Sequence, residues 1–284
     1  MVKNELTAKS WRRFKKNKLA KTGLIILIIL TFCAIFAPVL APYSPDKPDL
    51  SFRGIPQPPS LKHLLGTDNF GRDILSRALY GGRVSLLVGI CAVIIFILIG
   101  TFFGALSGYY GGILDAVIMR IVDLLLCLPT LFFILIIQTM VKPSIWNVIL
   151  VIGLTSWAGT ARLVRGQILS LKETPFIEAA RAIGASDSRI IFKHLIPNAS
   201  APIIVTGTLG VAATILLESV LSFLGLGVQE PMASWGNMLQ SAQEYIFSAP
   251  WMSIFPGLLI MIAVLAFNFI GDGLRDALDP KMKV

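Results

Sequence analysis

Six long apolar segments constrain the fold of this chain more than any other feature of its sequence. A helix needs about 20 predominantly apolar residues to cross a bilayer. Of the 284 residues, 55% are hydrophobic and only 14% are charged, which leaves too little polar surface for a water-soluble protein. We therefore predict an all-α polytopic membrane protein with six transmembrane helices: Leu24–Leu40, Val84–Ser107, Ile113–Met140, Ser144–Thr160, Ala199–Leu221 and Trp251–Ile270.

Basic residues indicate the orientation of these spans. Eight Lys and Arg residues precede Leu24, six lie in the loop 161–198, and three follow the last span. Because cytoplasmic segments carry an excess of Lys and Arg, we expect both termini in the cytoplasm. We divide the chain into residues 1–82, with an N-terminal cytoplasmic helix, the first span and an extracytoplasmic loop, and residues 83–284, a five-span core that includes the loop 161–198.

A polar stretch, residues 174–198, interrupts the apolar pattern. Thr174 stands at the N-cap position of a predicted short helix, with Pro175 in the first turn, where proline is tolerated. Gly184 is predicted to end this helix. One apolar stripe follows the spacing of a helical face: Phe176, Ala180 and Ile183.

A second short helix is predicted after this turn. Ser186 can cap it, and Pro197 closes it because a proline disfavours helical conformation at the preceding Ile196. Two helices of roughly 13 Å each cannot bury their own apolar stripes, so the pair needs a partner surface. Its basic residues also suit a DNA-binding helix-turn-helix, but membrane spans flank it, and we expect no nucleic-acid partner.

The polar stretch resembles the EAA loop of ABC-importer permeases, through Glu178-Ala179-Ala180, Gly184 and Pro197. The usual Ile-x-Leu-Pro ending reads His194-Leu195-Ile196-Pro197 here, as in the peptide-importer branch. Three further strings resemble C-type permease subunits of dipeptide, oligopeptide or nickel importers: Leu65–Leu86, Glu218–Gly227 and Asn268–Lys281. The resemblance implies a type I importer permease that couples to an ATPase through six residues: Glu178, Ala179, Ala180, Arg181, Gly184 and Pro197.

The resemblance also implies partners. These are a second permease subunit in a heterodimer, two ATPase subunits that hold ATP and Mg²⁺, and an extracytoplasmic substrate-binding protein, in the plasma membrane of a bacterium or archaeon. The chain itself would bind no cofactor. Nickel, glutathione or another small solute remains an alternative cargo to peptides, and a stand-alone secondary transporter is the rival class.

Charged residues inside the spans are candidates for the transport path or for subunit packing. Charges at mid-bilayer cost about 2.5–3.5 kcal/mol each on insertion scales, so they should point into protein or water. Asp115, Arg120 and Asp123 lie in the third span, where Arg120 and Asp123 share a helical face and are predicted to pair. Glu218 lies near the outer end of the fifth span, where it would meet a substrate amino group or bond to a neighbouring helix.

The segment before the second span is predicted to lie on the outer membrane surface. Residues 42–60 are rich in proline and predict an extended strap. Thr67 or Asp68 would cap a short helix that ends at Gly81-Gly82, with its charged side chains in water: Arg72, Asp73 and Arg77. Its candidate residues for contact with a binding protein are Asp68, Arg72 and Asp73. An interfacial elbow that positions the next span is the alternative.

Motifs for catalysis are absent from the sequence. No G-x-x-x-x-G-K-[ST] phosphate loop and no G-x-S-x-G nucleophile motif occurs. His63 and His194 have no second histidine at ligand spacing, so we expect no metal site. The three cysteines lie in apolar segments and are interpreted as small buried hydrophobes. We therefore predict a protein that is not an enzyme by itself.

Overall fold

The computed structural model describes residues 11–49 and 54–278. Its longer helices are α1 Lys18–Ile35, α2 Ile74–Tyr110, α3 Gly112–Cys127, α4 Thr130–Met140, α5 Ile145–Thr155, α6 Trp157–Lys172, α7 Pro175–Ala182, α9 Ser200–Phe223, α10 Trp235–Ala242 and α11 Trp251–Leu278. A further helical run, α8, combines three pieces, Asp187–Arg189, the π-helix Ile190–Leu195 and Ile196–Asn198. The described residues contain no β-strand, in agreement with the predicted all-α fold.

The described residues contain helices for up to six membrane spans, if one bent pair counts as a single span. Five are long and apolar by themselves: α1, α2, α5 with α6, α9 and α11. The sixth consists of α3 and α4, which meet at 91° around Pro129. Proline forces such a bend because its ring clashes with the preceding helical turn and it has no N–H to donate. The predicted span from Ile113 to Met140 thus corresponds to this bent pair of helices.

Helix α2 begins earlier than predicted and is 37 residues long. Asp73 caps it by accepting a hydrogen bond of 2.8 Å from the backbone N–H of Ser76. The predicted caps at Thr67 or Asp68 are wrong, and the helix does not end at Gly81-Gly82. Both glycines lie inside α2, and Trp235 packs on them; a Cβ on Gly82 would lie 3.1 Å from its ring.

Helices α2 and α6 form the most extensive helix pair, and three glycines bring their backbones together. Gly100, Gly104 and Gly108 are four residues apart and face α6. A Cβ on Gly104 would lie 2.4 Å from the carbonyl oxygen of Ala161, and one on Gly108 would lie 2.9 Å from that of Arg165. Small residues at this spacing allow close helix packing in membranes.

The other spans surround α2. Its buried Val93 and Phe96 belong to one apolar cluster with residues of α9 and α11, including Ile215 and Phe267. Helix α1 packs along α11, where a Cβ on Gly23 would lie 2.6 Å from a backbone oxygen. Helix α2 is therefore the central element of the bundle.

The N-terminal helix predicted within residues 1–82 lies partly outside the described residues. Residues 11–16 are helical. Trp11 is 52% exposed, whereas Phe14 is buried in a cluster with Ala20 and Ile270. This segment therefore packs against the start of α1 and the end of α11 through Phe14.

We predict that Gly104→Ala destabilises the protein by about 1–3 kcal/mol, the usual range for overpacking. The added methyl would press on the backbone of α6, which cannot move away like a side chain. Gly159→Ala is the matched control, because Gly159 lies on α6 with open space beside it. There the change should stabilise by about 0.5–1 kcal/mol, since alanine favours helix. Thermal unfolding of the purified protein measures both, and equal midpoints would contradict the prediction.

Candidate functional site

The polar stretch forms an elbow of two helical arms, α7 and α8, joined at Gly184. The N–H of Gly184 donates to the carbonyl of Arg181 at 2.9 Å, and that of Ala185 donates to the carbonyl of Ala180 at 3.0 Å. These two bonds make a Schellman motif, which requires a left-handed residue just past the helix. Gly184 supplies it with a φ of +78°. The prediction that Gly184 ends the first helix is confirmed.

One face of α7 packs against the rest of the chain. Ile177 is fully buried in a cluster with Val164 and Ile168 of α6, and Ala180 is also buried. The predicted apolar stripe is only partly correct, because Phe176 and Ile183 are 43% and 85% exposed. The buried face is thus centred on Ile177 rather than on Phe176. Thr174 and Ser186 occupy the predicted N-cap positions, but neither side chain makes a capping hydrogen bond.

The predicted end of the second helix at Ile196 is wrong. Ile196 is helical, with φ −57° and ψ −44°, and Pro197 lies within the helical run α8. The preceding turns are π-helical, and the N–H of Ile196 bonds to the carbonyl of Ile191, five residues earlier. Such π-turns occur mostly as short insertions within α-helices. A proline in the first turn after this change is tolerated because its missing N–H is not required there.

The outer surface of the elbow carries most of the predicted coupling residues. Ala180 is buried, whereas the other five are exposed: Glu178, Ala179, Arg181, Gly184 and Pro197. Apolar side chains accompany them, since Ile183 is 85% and Phe192 is 56% exposed. We call this surface the elbow surface. It combines apolar and charged groups on a rigid support, which suits contact with another protein.

Acidic residues of α3 pair with arginines of α6. Arg165 donates to Asp115 in a bidentate arrangement, with both N–O distances at 2.6 Å. Arg162 donates to Asp123, and this pair is half exposed. The predicted pair of Arg120 with Asp123 is wrong. Asp123 has its partner on the neighbouring helix instead, and Arg120 is exposed.

Glu218 is buried in a network of serine hydroxyls. Ser222 donates to its Oε1 at 2.7 Å and Ser85 of α2 donates to its Oε2 at 3.2 Å. Ser85 also accepts a hydrogen bond from the backbone N–H of Trp235 at 3.2 Å. Glu218 therefore joins α9 to α2 and to the start of α10. Of the two predicted roles of Glu218, this arrangement agrees with the one in which it bonds to a neighbouring helix.

A second polar cluster lies at the N-terminal end of α2. Arg72 donates to Asp68 at 2.7 Å and to Glu230 at 2.5 and 3.1 Å. Arg77 donates to Glu230 at 2.9 Å and to the carbonyl of Pro45 at 3.2 Å. This cluster ties the segment before α2 to the loop between α9 and α10. Burial alone raises the pKa of Glu230, but hydrogen bonding to Arg72 and the charges of Arg77 and Arg72 outweigh it and hold the pKa below its ordinary value.

The predicted exposure of this segment is wrong. Asp68, Arg72 and Asp73 are 5%, 6% and 2% exposed, so they do not face a binding protein directly. Asp73 instead accepts from Ser76 and lies 3.0 Å from Nδ1 of His63. Asp68 pairs with Arg72, so neither charge is buried without a partner.

A cleft of about 540 Å³ opens between α6, the first turns of α9 and the last turns of α11. Its walls include Gln167, Thr206 and Arg275 together with apolar side chains. Because the cleft is bounded by the same helix α6 that leads into the elbow, a movement of the elbow would change its shape.

Comparison with known proteins decides the family. Residues 100–284 match the family described as binding-protein-dependent transport system inner membrane component, and residues 6–59 match the N-terminal TM domain of oligopeptide transport permease C. The dipeptide transport system permease protein DppC of Alkalihalophilus pseudofirmus is 47% identical over 96% of this chain and 90% of its own length. The oligopeptide transport system permease protein OppC of Bacillus subtilis is 42% identical, over 95% and 88%.

The chain is a member of the binding-protein-dependent transport permease family. Solved structures show the same fold at lower identity. An inward-facing structure of the MetNI methionine ABC transporter has a TM-score of 0.56 and 19% identity, and covers 72% of this permease and 96% of that chain. The predicted type I importer permease architecture is therefore confirmed. Broken helices such as α3–α4 are also typical of secondary transporters, but here the bent span occurs in a permease of this family.

The structure also identifies residues of the permease that sequence reasoning missed. Glu230 was not predicted because its arginine partners lie more than 150 positions away. In the sequence, Arg162 and Arg165 are distinguished only as two of the six basic residues of the loop 161–198. The G-x-x-x-G-x-x-x-G pattern at residues 100–108 was a usable signal for the α2–α6 contact. Within residues 11–49 and 54–278, no group of three His, Cys, Asp or Glu side chains could hold a metal ion.

We predict that Glu230→Gln lowers the thermal stability of the permease at neutral pH. The pKa of Glu230 is lower in the folded protein than in the unfolded chain, where it is about 4.3. The carboxylate therefore contributes to the free energy of unfolding above about pH 4.3, and this contribution is lost as the pH falls from there through the pKa of the folded state. The difference between variant and wild type should therefore shrink on acidification. Unfolding midpoints measured between about pH 7 and about pH 3.5 test this.

The matched control for that experiment is Glu244→Gln. Glu244 is exposed and makes no ion pair within the described part of the chain. Its replacement should leave the midpoint unchanged at every pH. A constant difference between Glu230→Gln and wild type across the pH range would show that the charge of Glu230 is not what stabilises the cluster.

Proposed function

We propose that this permease is the transmembrane subunit of an ATP-driven importer for dipeptides or oligopeptides. It forms half of the translocation path and couples to a cytoplasmic ATPase through the elbow surface. The similarity to DppC and OppC over nearly the whole chain supports the peptide substrate. The elbow supports the coupling role.

The observation that carries the coupling role is the contrast between the two faces of the elbow. Ile177 and Leu195 are fully buried against the membrane helices, whereas Ile183 and Phe192 are exposed to solvent. Exposed large apolar side chains beside charged ones mark a surface for a protein partner. Glu178 and Arg181 lie on the same arm and add charge to this surface.

The proposed assembly contains a second permease, two ATPases and an extracytoplasmic binding protein. ATP and Mg²⁺ would be bound by the ATPases, and this chain would contribute no catalytic residue. The excess of Lys and Arg in the elbow and at both ends supports cytoplasmic termini. In this orientation the cluster around Glu230 lies outside, where it joins the two outer segments that border the path.

The packing of α6 supports a route for coupling. Motion of the ATPases would move the elbow, and Ile177 transfers that motion to α6 through Val164 and Ile168. Helix α6 is held to α2 by the glycine contacts and to α3 by Arg162 and Arg165. These three helices would therefore move as one unit between inward-open and outward-open states.

Two experiments test the function class and the cargo. Purification of the tagged permease should recover ATPase subunits, and uptake should fail when the phosphate-loop lysine of those ATPases is replaced. Uptake without ATPases would instead indicate a secondary transporter. Binding of dipeptides, longer peptides, Ni²⁺ and glutathione to the associated binding protein identifies the cargo. Binding of Ni²⁺ or glutathione alone would overturn the peptide proposal.

We predict that Gly184→Val strongly reduces the ATPase activity that the loaded binding protein stimulates. The left-handed conformation costs a residue with a Cβ about 1–2 kcal/mol, or about a five- to thirtyfold shift in population. No atom lies within 4 Å of a Cβ at this position, so the effect acts on the backbone and not through a clash.

Gly184→Asn is the matched control, since asparagine tolerates the left-handed region. It should retain most of the stimulation. Assembly of the complex is checked for both variants by co-purification. If Val and Asn variants assemble and stimulate equally, the geometry of the elbow is not required for coupling.

A further inference from the structure

Tyr109 contacts both arms of the elbow. It lies in the last turn of α2, and its ring is half-buried. The guanidinium carbon of Arg181 on α7 lies 5.6 Å from the centre of the ring. The hydroxyl donates to Oδ1 of Asp187, the first residue of α8, at 2.6 Å. One side chain therefore binds two oppositely charged groups on either side of Gly184.

The backbone of Tyr109 is held in place by its neighbour. Gly108 packs against α6, where a Cβ would lie only 2.9 Å from the carbonyl oxygen of Arg165 and from the side chain of Ile168. An aromatic side chain has only two rotatable bonds, so a fixed backbone leaves its ring little freedom. The side chain of Tyr109 is thus held in a fixed position at the C-terminal end of α2.

The angle of the turn between α7 and α8 depends on such a fixed side chain. Residues 183–186 connect α7 to α8, and Gly184 at their centre has open space around it. Buried Ile177 and Ile190 hold each arm by its apolar face, but apolar contacts are non-directional. A hydrogen bond to a carboxylate and a cation above a ring are directional, so they set the angle between the arms.

We propose that Tyr109 is a positioning residue for coupling: it sets the angle between α7 and α8 by holding Arg181 and Asp187 against the end of α2. This inference rests on the proposed function of the elbow surface. Exposed residues on both arms would meet the same ATPase, so a change of angle would misplace one arm whenever the other is seated.

Three variants and one control separate the contacts. Tyr109→Phe keeps the ring and removes the hydroxyl, Tyr109→Leu removes both contacts, and Asp187→Ala removes the acceptor. Tyr110→Phe is the control, because it removes the same hydroxyl group at the neighbouring position. Its hydroxyl has no hydrogen bond within the described part of the chain, and its ring meets Tyr109 edge-on at 5.1 Å.

The first measurement is the distance between spin labels at Ala182→Cys and Ser188→Cys, one on each arm, after replacement of the three native cysteines by alanine. It is made on the permease pair without ATPases. Tyr109→Phe and Asp187→Ala should broaden the distance distribution to a similar extent, and their combination should broaden it no further. Additive broadening would show that the two residues do not act through one bond.

The second measurement is substrate imported per ATP hydrolysed by the complete importer in proteoliposomes. Loss of one hydrogen bond should lower this ratio about two- to tenfold in Tyr109→Phe, and more in Tyr109→Leu. Tyr110→Phe should match wild type. A merely structural role would reduce the amount of assembled complex and leave the ratio unchanged.

Unchanged label distances and an unchanged ratio in both Tyr109 variants, with normal assembly, would overturn the inference. Failure of the proposed function gives a different result. In that case the wild-type permease recruits no ATPase and the ratio is undefined, whereas the label distances still report whether Tyr109 holds the arms.

Discussion

Close contact between α2 and α6 is the interaction on which the rest of this permease depends. Helices in a bilayer gain little from excluding water, because lipid is as apolar as their side chains, so close van der Waals packing has to hold them together. Gly100, Gly104 and Gly108 provide it by letting the backbone oxygens of α6 approach α2. Since α6 continues directly into the elbow, this contact also determines where the elbow leaves the membrane.

Ion pairs and buried hydrogen bonds then connect the bundle at both ends of α2. At one end Asp68, Arg72, Arg77 and Glu230 join the segment before α2 to the loop between α9 and α10, and at the other Asp115 and Arg165 join α3 to α6. Glu218 lies between them, bonded to serines of two helices. Unpaired charges are costly in such surroundings, so each charged group in these clusters lies against a donor or acceptor.

The elbow shows how far local sequence signals extend. Gly184 could be predicted because a left-handed helix end favours glycine wherever it occurs. The buried face of α7 could not be predicted, because Phe176, Ile177 and Ile183 are all apolar. Only the position of α6 decides that Ile177 is the one that is buried. The π-turns before Pro197 were likewise beyond local rules, because no residue type in Ile190–Leu195 distinguishes a π-helix from an α-helix.

That the chain is a multi-span helical membrane protein follows from its amino-acid sequence alone, because long apolar segments are stable in a bilayer as helices. The sequence also determined the elbow motif and the family it resembles. Which charges pair depends on the tertiary structure, since Asp123 pairs with Arg162 and not with Arg120. The burial of Asp68, Arg72 and Asp73 likewise depends on the tertiary structure. Those choices depend on distances between helices that are far apart along the chain, and spacing within one helix contains no information about them.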